Sequence, residues 1–546
     1  MHSRKMRAGA VLGVGALAVL TACDTDRGET ESDGIIEVMG WGGTTWNQNF
    51  NTFSPATSTV TPGSSFVYEP LVRVDRVNAG EVLPYLAEDW EFNEDGTELT
   101  FNLREDVNFS DGEPMTAEDV EFTWNLVLGG ETNQDYPFSA VEAVDEHTVT
   151  VFYDSPAYTD LVGFATRMIV PAHEWEDEDP GEWTNPEPVG TGPFVLDDFS
   201  PQQVSLALRD DYWGEESQGV ETIRIRAMSV DAGQDALLNG ELDFTTMGWE
   251  NGEEEFVEQN PETNTYNFYP VGGADGIFFN TLEEPYDDAA VRRALRDSLD
   301  LQAAADVVRV GYDIPTLAGL DAIVYEDLLA DDQTHEQDVD GALQELEDAG
   351  YTVEGGQLVD PDGESHSLTL DTYQVYNEWN VTAQIISDQW NENLGLNVQV
   401  NELGEQQYAD AVDAGNYEML SGVPSTGSNI YQMLRYYSSD LVGEPGDNTL
   451  GNNSFFTHDE IDEIVDELVS VEPDDQESTR ELAIRGQEIL TEEAPFIATA
   501  TSGWKATLYE GNWTNFPVPG ETDHAPNNTL PADAILTMLN LTPQEQ

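Results

Sequence analysis

Apolar and polar residues alternate along most of this chain with two different periods. Residues 98–104 set Leu99, Phe101 and Leu103 on one side, as a half-buried strand does, and 148–153 repeat the pattern with Val149, Val151 and Tyr153. Residues 35–39, with Ile35, Ile36 and Val38, predict another short strand. A four-residue spacing of Val291, Leu295 and Leu299 predicts a helix over 287–301. Residues 460–469 and 477–490 predict two more helices. Thr116 stands as an N-cap with Asp119 three positions on, ahead of Val120, Phe122 and Trp124, and so predicts a helix start. Strand and helix patterns mix from end to end with no internal repeat, so the fold class is α/β.

One run departs from the alternation. Residues 8–20 are all small or apolar and follow Arg4, Lys5 and Arg7. The run is shorter than the ~20 residues a membrane-spanning helix needs. A basic start, a short apolar centre and a small-residue end predict a secretory signal over 1–22. The segment ends Leu20-Thr21-Ala22-Cys23, which resembles a bacterial lipobox, and Cys23 is the chain's one cysteine. Lipidation at Cys23 is the expectation; an ordinary cleaved signal with an incidental cysteine is the other reading. Residues 24–33 contain no apolar side chain, so 23–33 read as a lipidated cysteine and flexible tether. The protein is then expected outside the cytoplasm, held to the membrane by its lipid only.

Charge changes the picture again. The 546 residues include 108 acids against 19 lysines and arginines, a formal net charge of −89. The lysines are Lys5 and Lys505. The acids are spread along the chain, which points to a surface adapted to salt, where the screening length falls to about 3 Å at 1 M. A dedicated acidic function, such as calcium binding or capture of a basic partner, is the competing reading. Nucleic acid is excluded, because a phosphate backbone needs a basic footprint. Length alone suggests two or three domains.

Residues 86–125 carry the most specific pattern. It reads Leu86-Ala87-Glu88-Asp89-Trp90, Asp95-Gly96-Thr97, then Val107-Asn108-Phe109-Ser110-Asp111-Gly112 and Met115-Thr116-Ala117-Glu118-Asp119-Val120. Tyr68-Glu69-Pro70-Leu71 precedes it; Gly190-Thr191-Gly192-Pro193, Phe278-Phe279-Asn280 and Glu493-Ala494-Pro495-Phe496 follow. Asp95-Gly96 and Asp111-Gly112 are hairpin turn signals, and 190–193 read as a tight turn that needs glycine's conformational freedom. As an ordered set these motifs resemble the family 5 extracellular solute-binding proteins, the oligopeptide- and dipeptide-binding type of ABC importers. Ser110 stands where the family usually has histidine. The resemblance implies a two-lobed periplasmic-binding-protein-like fold of class II type, with an inserted subdomain and a hinge of two crossing segments. Lobe I would be discontinuous, 34–280 plus 496–546, with the subdomain over about 71–188; lobe II would be 281–495.

The resemblance also implies a ligand enclosed between the lobes. Peptide binders of the family place an Asp in lobe II against the ligand's ammonium, and the corresponding stretch here, 416–431, has none. It offers Gly422, Ser425 and Tyr431 instead, groups that suit a neutral polyhydroxyl ligand. Trp41, Gly43, Trp46 and Asn47 resemble the corresponding stretch of the family's oligosaccharide binders, where flat rings stack on sugars and amides bond hydroxyls. Trp249, Trp379 and Trp504 lie near positions the family uses to line its cleft. Broad family membership favours a short oligopeptide, and a β-linked oligosaccharide of cello, xylo or manno type is the alternative.

No constellation anchors an enzyme. The seven histidines do not pair at metal-ligand spacing, 422–427 lack the Gly-x-Ser-x-Gly order, and lysine is too scarce for a phosphate loop. No cofactor or metal is expected, and no EF-hand spacing supports a calcium site. The sequence therefore predicts a monomeric substrate-binding lipoprotein that delivers a short oligomer to an ABC permease and its ATPase. An extracellular hydrolase and a ligand sensor remain as other readings.

Overall fold

Two long strands, Asn264–Phe279 and Phe496–Tyr509, hold the architecture together. The computed structural model describes residues 34–40, 43–54, 61–77, 80–129, 137–246, 249, 252–308, 315–322, 324–424, 429–443 and 451–544. The signal, Cys23 and the tether expected over 1–33 lie outside the described residues, as do Trp41 and Ser425.

Among the described residues one ten-stranded sheet runs through the molecule. From one edge its order is Gln399–Leu403, Thr369–Tyr373, Met419–Gly422, Asn264–Phe279, Phe496–Tyr509, Phe244–Thr245, Ile35–Met39, Thr222–Arg226, Gln203–Leu208 and Phe194–Ser200. The two long strands therefore belong to both halves. Their register is regular from Asn264↔Tyr509 to Pro270↔Gly503, then shifts before Ala274↔Thr501. Val271, Gly272 and Gly273 thus face the single residue Ser502, and a second shift follows between Asp275 and Gly276. Such bulges bend a strand pair and interrupt its ladder, so the crossing is also the hinge. Beyond it the strands nearly touch: a Cβ on Gly276 would lie 1.9 Å from the Ile497 carbonyl oxygen.

Both halves cover the sheet on two faces. Ile277, Phe279, Leu370 and Met419 point into one core of lobe II, while Phe278, Leu420 and Phe496 point into the other. This is the two-residue alternation of strands buried on both sides. In lobe I, Ile36, Val38, Ile223 and Phe244 pack under the helix Pro531–Asn540, whereas Met39 joins Leu237, Trp249 and Phe256 on the opposite face. The fold is a two-lobed periplasmic-binding-protein-like α/β arrangement with an extra subdomain.

The subdomain has its own core. Strands Ala87–Phe92, Glu98–Leu103, Thr148–Tyr153 and Phe138–Asp145 form an antiparallel sheet, covered by the helix Ala117–Gly129 through Val120 and Trp124. Gly96 turns the first hairpin at φ 66°. The helix starts as its sequence dictates, with the Asp119 carboxylate accepting from the Thr116 N–H at 2.8 Å.

Two expectations are corrected. The helix expected over 287–301 is two helices, Ala289–Asp297 and Leu301–Val308. Ser298 closes the first by donating from Oγ to the Leu295 carbonyl at 3.0 Å, and the Asp300 carboxylate accepts from the Ala303 N–H at 2.9 Å to start the second. In the 190–193 turn neither Gly190 nor Gly192 has a positive φ. Close approach is the constraint there: a Cβ on Gly190 would lie 2.1 Å from the Val67 carbonyl oxygen, and one on Gly192 2.5 Å from that of Phe66. That contact sits beside Glu69, which is fully buried and accepts from Tyr212 Oη at 2.7 Å and Trp213 Nε1 at 2.9 Å.

Candidate functional site

Strand direction locates the cleft. In lobe I, Ile35–Met39 runs parallel to Thr222–Arg226 and to Phe244–Thr245. Phe244 pairs with Leu508 and Thr245 with Thr507, so these strands advance toward the bulge at Ser502. In lobe II, Thr369–Tyr373 runs parallel to Gln399–Leu403 and Met419–Gly422. Phe279 pairs with Met419 and Gly276 with Gly422, so these strands advance toward the same bulge from the other side. The carboxyl ends of both half-sheets converge on the hinge, where open α/β sheets bind ligands.

On the lobe II side four aromatic rings follow the ends of strands 369–373 and 399–403. Tyr373 stacks on Tyr408 at 4.9 Å and meets Tyr376 edge-on at 5.3 Å, and Tyr376 lies 4.7 Å from Trp379. Tyr408 Oη donates to the Ser421 carbonyl at 2.8 Å, which ties the cluster to the strand ending at Gly422. Tyr376 is 47% exposed despite its size. Glu378, in the first turn of the helix Asn377–Asn393, forms an ion pair with Lys505 of the hinge strand. Burial raises the Tyr376 phenol above its usual range, and the charges of Glu378 and Asp275 add to the shift.

On the lobe I side a cavity of about 410 Å³ is lined by Thr52, Ser64, Ser65, Arg167 and Asn528, among others. Asn528 joins it to the strand ends: its Nδ2 donates to the Met39 carbonyl and its Oδ1 accepts from Thr246 Oγ1, both at 3.4 Å. The Arg167 guanidinium lies 5.2 Å over the Trp124 ring and 5.7 Å over Phe53. Thr52 Oγ1 and Ser64 Oγ are buried without a hydrogen-bond partner among the described residues. Buried hydroxyls of this kind are costly unless something completes them.

The subdomain meets lobe II across the mouth. The Tyr158 N–H donates to the Val469 carbonyl at 3.1 Å. Beside it, burial pushes the Asp160 carboxyl up to about 7, against a hydrogen bond from Tyr153 Oη at 2.9 Å and the charge of Arg435.

The sequence-derived candidates fall into two groups. Trp379, Gly422, Tyr431 and Trp504 stand around the hinge or the mouth, and Gly43 and Asn47 are exposed beyond the end of strand 35–39. Trp504 pairs with Tyr269 in the hinge ladder and is half-buried against the lobe I core. Trp46 and Trp249 are engaged by the protein's own side chains. Trp46 is 8% exposed, with its ring between Gly40 and the lobe I core. Trp249 is 7% exposed, stacked on Phe256 at 4.9 Å, with Nε1 donating to Glu255 at 3.3 Å. Sequence reasoning missed the Thr52, Ser64 and Ser65 hydroxyls, Arg167, and the Tyr373, Tyr376 and Tyr408 rings around Trp379. Lys505, one of the chain's two lysines, is the sequence signal that points to the hinge strand.

Comparison with known proteins agrees with this architecture. Residues 81–441 match the family model described as bacterial extracellular solute-binding proteins, family 5 Middle. The chain is 26% identical over 437 residues to the oligopeptide-binding protein OppA of Bacillus subtilis, covering 73% of this chain and 78% of that relative. A crystal structure of a periplasmic oligopeptide-binding protein of an oligopeptide ABC transporter from Thermotoga maritima superposes with a TM-score of 0.83 at 23% identity, covering 94% of this chain and 100% of that one. The mannohexaose-bound form of that transporter protein superposes with a TM-score of 0.78 at 22% identity, with coverage of 94% and 100%. The chain belongs to the family 5 bacterial extracellular solute-binding proteins.

Proposed function

We propose that this protein captures a short oligopeptide outside the cell and delivers it to an ABC permease with its ATPase. The convergence of both half-sheets on one bulged hinge carries the reading, because ligand contacts from the two sides then favour the closed form over the open one. The oligopeptide-binding name of the Bacillus relative supports a peptide. The lobes would divide as 34–280 plus 496–546 and 281–495, with the subdomain over about 71–188. Ligand contacts would come from Trp41, Gly43, Asn47, Trp379, Gly422, Ser425, Tyr431 and Trp504, joined by Ser64 and Arg167 of the cavity. Cys23 would carry the lipid that moors a monomer to the membrane, and the acidic surface would keep it soluble in salt.

A second reading keeps the role and exchanges the ligand for a manno-type oligosaccharide. The mannohexaose held by the Thermotoga protein supports it, as do the partly exposed rings of Tyr376 and Trp379. A thermal-shift panel in molar salt separates the two, with tetrapeptides beside manno-, cello- and xylo-oligosaccharides. A ligand at 100 times its dissociation constant adds about 2.7 kcal/mol of stability. A shift with peptides is expected; a shift with sugars alone rejects the peptide.

A further inference from the structure

The fold gathers one imidazole and two carboxylates from separate segments of lobe II, far from the cleft. Glu284 follows the hinge strand 264–279; Asp360 follows the strand Gln357–Val359, and His366 ends the strand Ser365–His366. The ligand atoms of all three lie within 4.8 Å of one another. His366 Nε2 and Asp360 Oδ2 are 3.2 Å apart, and their side chains are only 12% and 13% exposed. Zinc bonds of about 2.0–2.1 Å set neighbouring ligand atoms of a tetrahedral site about 3.3 Å apart, so this pair already has the spacing of one edge. The Glu364 N–H donates to Asp360 Oδ1 at 2.8 Å, which orients the carboxylate with Oδ2 toward the imidazole. Glu284 is exposed, and its carboxylate forms no hydrogen bond among the described residues, so the long side chain can close on the pair.

Tyr351 points to the same place independently. Its neighbour Gly350 lies against the 360–363 turn, where a Cβ would come 3.1 Å from Pro361 Cγ. Tyr351 is 7% exposed, and its hydroxyl has no hydrogen-bond partner among the described residues. Burial raises the phenol to about 12, and the charges of Asp288, Asp287, Asp360 and Glu284 add to the shift. The neighbouring arginines are engaged elsewhere, Arg292 with Glu493 and Arg293 with Glu345.

We propose that Glu284, Asp360 and His366 bind a divalent transition cation of the zinc class, with water completing the shell. An imidazole among carboxylates favours such an ion over magnesium or calcium, which take oxygen ligands. Phe279 pairs with Met419 and His366 precedes Thr369, so the site lies at the amino ends of the lobe II strands, opposite the cleft. The ion therefore braces the loop after the hinge strand against the 352–366 strands and does not touch the captured ligand.

The test is calorimetric titration of the full chain in molar sodium chloride with zinc chloride and, separately, magnesium chloride. One zinc per chain is expected, and no magnesium at the same concentration. Glu284→Gln and His366→Ala should each weaken zinc binding at least about tenfold. Glu284→Gln changes an exposed side chain and so keeps the fold, which a thermal melt checks. His173→Ala, which breaks the fully exposed group of Asp111, His173 and Glu174, should leave this binding unchanged. A wild-type chain that takes up no zinc overturns the site, as does zinc binding that both Glu284→Gln and His366→Ala retain in full. Binding lost in His173→Ala instead overturns the assignment in favour of that exposed group. Equal binding of zinc and magnesium, unchanged in His366→Ala, overturns it in favour of the acidic surface at large.

Discussion

The Tyr158 N–H donates to the Val469 carbonyl across the mouth of the cleft, at 3.1 Å. Tyr158 opens a short 3₁₀ turn of the subdomain and Val469 follows the lobe II helix Asp459–Leu468, so the bond exists only while the two bodies meet. Hydrogen exchange should report it directly. The Tyr158 amide should exchange at least about tenfold more slowly with saturating ligand than without, as expected when a ligand draws an open population into the closed form. Equal protection with and without ligand would show that this contact takes no part in closing.

Glu69 tests the scaffold. Its carboxylate is fully buried with Tyr212 Oη and Trp213 Nε1 as donors. Glu69→Ala strands both donors, and each buried donor left unpaired costs about 1–3 kcal/mol. Urea unfolding should show a loss of roughly 2–5 kcal/mol for Glu69→Ala and a smaller loss for Glu69→Gln. An alanine variant of wild-type stability would contradict the role given to this carboxylate.

Several buried carboxyls, Glu69 among them, set a pH dependence. Burial raises Asp533 to about 7, Asp160 to about 7 and Asp243 to about 6. Their folded pKa values exceed the unfolded values, so the unfolded chain ionises first. Their stabilising contribution is complete below about pH 4 and is lost as pH rises through about 7. Asp523 acts in the opposite sense: despite partial burial, hydrogen bonds from His524 and Arg73 hold it at about 2, so its contribution is lost only in strong acid. In molar salt, where surface repulsion is screened, stability should fall from pH 5 to pH 7. Asp533→Asn should remove up to about 1.4 kcal/mol per pH unit of that slope. An unchanged slope in the variant would assign the dependence to other groups.

Much of the fold was legible because it is local. Leu99, Phe101 and Leu103 alternate as a strand does, Asp95-Gly96 turns the hairpin, and Asp119 reaches back to Thr116 to begin the helix. The helix over 287–301 misled because Val291, Leu295 and Leu299 keep one buried face across a break at Ser298. The site was harder to read because it is assembled from strand ends far apart in sequence. Asn528 reaches Met39, and Lys505 reaches Glu378, only through the hinge. Residue type alone does not separate the two uses of an indole: Trp46, of a type suited to stacking on sugar, is 8% exposed and packs with the lobe I core.

Small-angle X-ray scattering during a peptide titration reports whether the hinged pair of lobes closes on a peptide. The radius of gyration should fall as tetrapeptide is added and level off at one peptide per chain. A bound peptide that leaves the scattering curve unchanged from the ligand-free protein would contradict that closure.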